Sequence, residues 1–407
     1  MSNTVEIMDT TKICRNFPIE PEREILRESF LGTLEYLFET HSMVIVEGQD
    51  GIGKTTLLAQ FAKRHPDTSI SIFITPATRS SYDPESIRLD LLNQAWWILY
   101  QKELDSEEEE NLDIKSQLGT KYSSLQKKAR SQKFYFIVDG LGEIPDNDSN
   151  YRELILDLLP LGRGKEFRFL ISGNSDKLPE QVLNQIPNKP FTMSPYTLDD
   201  AYQNLADLDF SKEDITELYK IFQLPGQLAS IRRSIQSGLS KEEFLGDIPS
   251  KAAYLFELEW KHVDLSDNLL SEILAVVAFS SLEFSINDIA KIMGLTAHEI
   301  NLLLEPIPFL SKSECQNVRF VSDAHQKHAQ AKLYRHKDIA ENRIIEHLKN
   351  SEDPKAIVYL PTIYDKSEKY GELLNFLTPE KFSFRTYARQ NKTEQLTIEP
   401  KAVIVTA

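Results

Sequence analysis

Two cysteines in 407 residues, Cys14 and Cys315, are too few for a disulfide framework and fit a reducing cytosol. Basic side chains are in deficit, with 46 Lys+Arg against 62 Asp+Glu and a net charge of −16. A surface of that sign repels nucleic acid and anionic membrane on average. Long apolar runs are missing too: stretches such as 273–279 fall far short of the ~20 residues that span a bilayer. The N-terminus, MSNTVEIMDTTKIC, has no basic region followed by an apolar core, so it is not a secretory signal. No long internal repeat is present. What remains is 41% hydrophobic and 27% charged, an ordinary globular balance over a length that suits two to four domains. The expected compartment is the cytoplasm.

One stretch organises the rest: residues 43–56, MVIVEGQDGIGKTT. An apolar run at 43–47 reads as a buried strand. Residues 48–55 then spell G-x-x-x-x-G-K-T, and 56–62 resume with helix formers. A chance match somewhere in such a chain is roughly a one per cent event. Glycines at 48, 51 and 53 let the backbone bend until successive N–H groups face phosphate oxygens, and the start of the helix adds partial positive charge. The predicted nucleotide contacts are Gly48, Gln49, Asp50, Gly51, Ile52, Gly53, Lys54, Thr55 and Thr56. Lys54 would serve the β- and γ-phosphates and act in catalysis, and the Thr55 hydroxyl would be a hard ligand for Mg²⁺.

Taken in order, residues 1–16 read as a polar, mobile arm. Residues 22–39 have apolar positions near helical spacing after Pro18 and Pro21. Backbone at 17–19 would pass an adenine base. Beyond the loop, 70–74 is a strand and 84–100 a helix, whose Trp96 and Trp97 read as packing residues. The acidic run 103–113 is a solvated loop or helix end, and 115–130 is helical. Residues 134–138, FYFIV, form a second buried strand ending in Asp139, about 85 residues after the loop. That strand end is expected beside the loop, with Asp139 holding Mg²⁺ directly or through its water. Glu143, four residues on, would orient or deprotonate the attacking water; a surface glutamate looks the same in sequence. A third strand at 167–172 places Ser172 and Asn174 where polar groups sense a γ-phosphate, with a plain Gly-Asn turn as the competing reading.

The order of P-loop, the DGLGE stretch at 139–143, strand with polar turn, and the stretch 190–205 resembles the STAND class of P-loop ATPases, which includes the NACHT and NB-ARC switches. The resemblance spans roughly residues 17–330. It implies a Pro near base and ribose, matched by Pro225 in QLPGQL at 223–228. Helices at 272–279, 285–293 and 296–304, capped by Ser285 and Thr296, and strands at 309–311 and 318–321 describe a winged-helix domain. The family closes this domain over the nucleotide with a Met-His-Asp triplet. Here the triplet is Val321-Ser322-Asp323: Asp323 matches, Ser322 replaces His, and His325 or His328 would have to substitute. Gly142 and Asn174 also depart from the pattern and point to slow hydrolysis or altered γ-phosphate sensing. The two histidines lack the carboxylate or thiolate partners that a metal site needs.

The expected fold is therefore multidomain α/β plus α. A parallel-sheet P-loop NTPase domain (1–192) would be followed by a small helical domain (193–250), a winged-helix domain (251–335) and a repeat-like helical segment (336–407). About 40 residues before the loop are too few for an effector enzyme, and the C-terminal helices would be a shortened or small sensor. The resemblance implies an ATP/ADP-controlled switch with Mg²⁺ between the domains, slow turnover and a homo-oligomer in the ATP state. An unidentified protein or ligand trigger would release it, as in bacterial defence or signalling. Nucleic acid and membrane are not expected partners. Two alternatives stand: a DNA-binding initiator-type ATPase, disfavoured because 296–304 has no Lys or Arg, and a metabolic kinase.

Overall fold

The structure, a computed structural model, describes residues 10–376 apart from 19–20, 22, 76–80, 105–112, 129–131, 142–156, 163–164, 174–179, 185–189, 247–252, 262, 281, 313–316, 352–359, 362 and 365–368. The chain divides into two compact units, Met1–Val263 and Asp264–Ala407.

The first unit is built on strands β1 (Met43–Glu47), β2 (Ser69–Phe73), β3 (Phe134–Asp139), β4 (Phe167–Ser172) and the short β5 (Phe191–Thr192). They pair in parallel in the order β2-β3-β4-β1-β5. The strands are largely apolar because helices cover both faces. Alternate residues serve opposite cores. Met43, Ile45, Phe134, Phe136 and Phe169 face α4 (Pro84–Tyr100) and α5 (Ile114–Lys128). Val44, Val46, Tyr135, Ile137 and Leu170 face α2 (Glu28–Thr40) and α3 (Lys54–Arg64). Helix α4 begins where Asp83 accepts the Ser86 N–H at 2.9 Å, with Pro84 in the first turn.

Two expectations change here. Residues 10–16 of the arm are anchored: α1 (Thr10–Ile13) leads to Cys14, which is 4% exposed and donates its Sγ–H to the Ser71 carbonyl at 3.1 Å. Burial pushes that thiol well above its usual range. The first long helix starts at Glu28, not at 22, because Gln60 bonds the preceding backbone groups and holds them out of the helix. Its Oε1 accepts the Arg27 N–H at 3.1 Å and its Nε2 donates to the Ile25 carbonyl at 3.0 Å.

After a short helix α6 (Glu180–Leu183), the unit continues as α7 (Leu198–Leu205), α8 (Lys212–Ile221), α9 (Pro225–Gln236), α10 (Lys241–Gly246) and α11 (Ala253–Glu259). Thr197 and Ser211 close capping boxes with Asp200 and Asp214. These helices share a third core that includes Leu205, Leu218, Phe222, Leu228 and Phe244.

The second unit contains α12 (Asn268–Phe279), α13 (Ile286–Met293), α14 (Ala297–Leu304), α15 (Asp323–Lys332), α16 (Lys337–Lys349) and α17 (Tyr370–Phe376). Ser285 and Thr296 are N-caps with full capping boxes, and Gly294 closes α13 at φ 70°, as their spacing predicts. Strands β7 (Leu310–Lys312) and β8 (Asn317–Phe320) pair antiparallel, and β6 (Phe284–Ser285) adds a third strand in the order β6-β8-β7. Sequence periodicity missed β6, a two-residue strand with no alternation to detect.

Candidate functional site

The sheet delivers the glycine loop at the C-terminal end of β1. Gly51 and Gly53 adopt φ of 79° and 93°, a region costly for any side chain, and Gly53 is the N-cap of α3. Ile52 between them is buried under α3 and pins the loop to the core. Gln49 and Asp50 are exposed, Gly48 and Thr56 half-buried. Lys54 folds back over the loop: its Nζ donates to the carbonyls of Gly48 at 2.7 Å and Gln49 at 3.3 Å, and lies 3.9 Å from an Asp50 carboxylate oxygen.

Asp139 ends β3. Strand β4 lies between β1 and β3, so Asp139 is not on a strand paired with β1. It still reaches the loop. Thr55 Oγ1 donates to Asp139 Oδ2 at 2.6 Å, joining positions 84 apart in sequence. Ser172, at the end of the intervening β4, donates its hydroxyl to Asp139 Oδ1, and the Gly140 N–H donates to that hydroxyl at 3.2 Å. Burial raises the Asp139 pKa, against lowering by the Ser172 and Thr55 hydroxyls, the Lys54 cation and the Gly140 N–H.

The inserted strand is thus what makes room for a third polar group between loop and aspartate. Ser172 was legible as a strand-end polar residue; its bond to Asp139 was not. Glu143 and Asn174 lie outside the described residues. Pro225 lies against the loop, its ring 3.7 Å from where a Cβ on Gly53 would stand. Phe17 packs edge-on against Phe73 with centroids 5.2 Å apart, so its ring is occupied by core packing. In the second unit, Asp323 opens α15 and Ser322 is its N-cap, accepting the His325 N–H at 3.3 Å. The His325 ring is buried with Nδ1 2.7 Å from the Ser322 hydroxyl. Among the described residues, no group of three His, Cys, Asp or Glu is placed to hold a metal on its own.

A triphosphate with Mg²⁺ fits this donor set. The loop offers two left-handed glycines and a lysine, and the Thr55 hydroxyl and Asp139 carboxylate are hard oxygens already within 2.6 Å of each other. Sequence reasoning missed one residue at this place, Gly226, whose N–H donates to the Gly51 carbonyl at 2.9 Å. Its only sequence signal is a glycine in the first turn of a helix, where most residues are better formers.

No known protein-family profile matches the sequence, and no curated protein does. Among solved structures, the chain is similar to a STAND (Signal Transduction ATPase with Numerous Domains) protein with a tetratricopeptide repeat sensor from Pyrococcus horikoshii. Identity is 13% and the TM-score 0.56, over 91% of this chain and 53% of that one. The chain therefore spans about half the length of that protein. A Walker-type ATPase of Pyrococcus abyssi matches at 13% identity and TM-score 0.41, over 77% of this chain and 99% of that one. The Aeropyrum pernix Orc1 protein in complex with DNA matches at 13% and 0.38, over 80% and 96%. No helix among the described residues is long and apolar enough to cross a membrane. Sheet, loop and the likeness to the Pyrococcus horikoshii protein together give this chain the fold of a P-loop NTPase.

Proposed function

We propose that this chain is an ATP/ADP-controlled conformational switch of the STAND class with slow hydrolysis. The observation that supports it best is the Thr55–Asp139 pair beside Lys54, two oxygen ligands and one cation gathered at a glycine loop. When bound, Mg²⁺ would supply Lewis-acid polarisation of the phosphates. Lys54 would leave the loop carbonyls and neutralise phosphate charge. Backbone amides of 51–56 would orient the phosphates, and Ser172 would hold the Asp139 carboxylate in its rotamer. Glu143 is the proposed base, Asn174 a γ-phosphate sensor and Pro225 a neighbour of the base and ribose. Gly142, in place of a second acid, favours low turnover.

The winged-helix reading of 251–335 rests on three helices and a small antiparallel sheet. In the STAND reading Asp323 senses ADP, a trigger acts through the C-terminal helices, and ATP favours a homo-oligomer of a cytoplasmic protein. Differential affinity of the two nucleotides for two arrangements is the energy source such a switch needs. The test is mass spectrometry of nucleotide released from purified protein, with sizing before and after ATP. The proposal expects bound ADP or ATP and a nucleotide-dependent change in size; neither would be seen if it is wrong.

A second reading, a DNA-binding ATPase of the initiator type, draws on one feature. Residues 324–337 carry Lys327, Lys332, Arg335 and Lys337 with no acidic residue, in a chain otherwise strongly acidic. Filter binding of duplex DNA across a salt series would separate the two, since phosphate contacts give a steep salt slope.

A further inference from the structure

Three consecutive residues at the start of α9 lie along the three that end the glycine loop. Leu224 packs into the core beneath the loop, Pro225 lies against Gly53, and Gly226 meets Gly51 backbone to backbone. The first amides of a helix have no carbonyl partner within it. Gly226, second in α9, directs its N–H out of the helix to the Gly51 carbonyl at 2.9 Å. The approach is tight for a side chain: a Cβ on Gly226 would stand 3.1 Å from Gly51 Cα and 3.2 Å from Gly51 O, both backbone atoms, so the loop backbone would have to give by a few tenths of an ångström. The capping carboxamide of Gln227 accepts the N–H groups of Gln223 and Leu224, each at 3.1 Å, which fixes the turn that presents Gly226.

The peptide between Gly51 and Ile52 is planar, with its carbonyl and N–H on opposite sides. Holding the carbonyl toward Gly226 therefore turns the Ile52 N–H to the other side, where the Gln49 carbonyl accepts it at 3.3 Å. The Lys54 ammonium bonds that same Gln49 carbonyl. One hydrogen bond from α9 thus sets the plane of a peptide in the middle of the phosphate loop, and the loop's own donors are arranged around it.

We propose that Gly226 is a positioning residue for the phosphate loop, a latch that couples the loop's conformation to the helical bundle of 198–259. This rests on the nucleotide reading above, since a phosphate group is what would reorder the Gln49 and Ile52 bonds. Movement of the 51–52 peptide on phosphate binding has to be followed by Gly226 or break its bond. The bundle registers the event through α9, with no contact of its own to the phosphates.

The test is hydrogen–deuterium exchange of the full chain with and without Mg-ATP, on wild type and Gly226→Ala. In wild type, segments 48–56 and 223–236 should both change exchange rate on adding Mg-ATP, with the same half-saturation. In G226A the 48–56 response should persist, the 223–236 response should be strongly reduced, and nucleotide affinity should fall about tenfold. A 223–236 response in G226A equal to that of wild type overturns the latch. So does a wild type in which only 48–56 responds, and this arm needs no variant should G226A fail to fold. A wild type in which 48–56 does not respond overturns the nucleotide reading and the latch with it.

Discussion

Two buried aspartates in the first unit look alike by exposure and differ in the groups that bond them. Asp139 is 7% exposed and Asp90 4%, and burial raises the pKa of each, that of Asp90 to about 6. Asp90 sits inside α4, where amides surround it. Gln94 Nε2 donates at 3.0 Å, and the Arg15 N–H lies 3.3 to 3.4 Å from both oxygens. Those donors come from the protein's own framework. Gln94 also closes the free edge of β2, accepting from Ser71 N at 2.7 Å and donating to Ser71 O at 2.8 Å. Asp139 ends a strand between two hydroxyls, and Lys54 adds a coulombic pull on it. Hydroxyl oxygens are acceptors as well as donors and can share a cation with the carboxylate; amide N–H groups cannot. The difference teaches that what surrounds a buried acid, more than its burial, separates a candidate site from a structural joint.

The largest effect is expected at the loop. Lys54→Ala should lower ATP affinity about a hundredfold, from loss of charge-assisted bonds to phosphate. Isothermal titration would measure it, and unchanged affinity would remove the phosphate reading of this end of the sheet. Asp139→Asn keeps an acceptor for Thr55 but removes the charge. Magnesium-dependent turnover should drop about a hundredfold, while thermal stability stays near wild type because a buried carboxylate is no longer desolvated. If Asp139 were a joint like Asp90, turnover would not respond.

Asp90→Asn sharpens the other side. The folded-state pKa of Asp90 lies near 6, above its ordinary 3.8. The native state therefore holds a proton that the unfolded chain releases, and wild-type stability from this group is lost as pH rises through that window. The asparagine variant has no such slope. Its stability relative to wild type should grow by about 2 kcal/mol between pH 4.5 and 7.5, read by urea denaturation. Parallel curves would mean the group is not held protonated.

Local chemistry was legible in the sequence and long-range placement was not. Strand 167–172, helix 84–100 and the caps at Ser285 and Thr296 follow from alternation and side-chain chemistry within a few residues, and the structure has them there. The loop was readable because its bends demand glycine at fixed spacing. The strand order was not, since no residue in β4 states that it will lie between β1 and β3. Residues 10–16 read as a loose arm because their anchors are single polar bonds, the Thr10 hydroxyl to the Pro66 carbonyl, the Cys14 thiol to the Ser71 carbonyl and the Arg15 N–H to the Asp90 carboxylate, which leave no apolar pattern. Gly226 went unseen for the same reason: its work is done by a backbone N–H, and the partner is 175 positions away (226 minus 51).

Ser172 stands between the two cases and gives the smallest effect. It receives the Gly140 N–H and donates to Asp139, so Ser172→Ala leaves a buried donor and a carboxylate oxygen each short of a partner. That costs about 1–3 kcal/mol of stability, seen as a lower urea midpoint. A purely structural serine would stop there. On the switch reading the same loss frees the Asp139 rotamer, so magnesium affinity should weaken about tenfold, while ATP affinity without magnesium stays fixed because Lys54 and the loop amides are untouched. Separate titrations with and without magnesium distinguish the two. Equal changes in both would make Ser172 a joint of the same kind as Gln94 and would leave Thr55 alone to orient the aspartate.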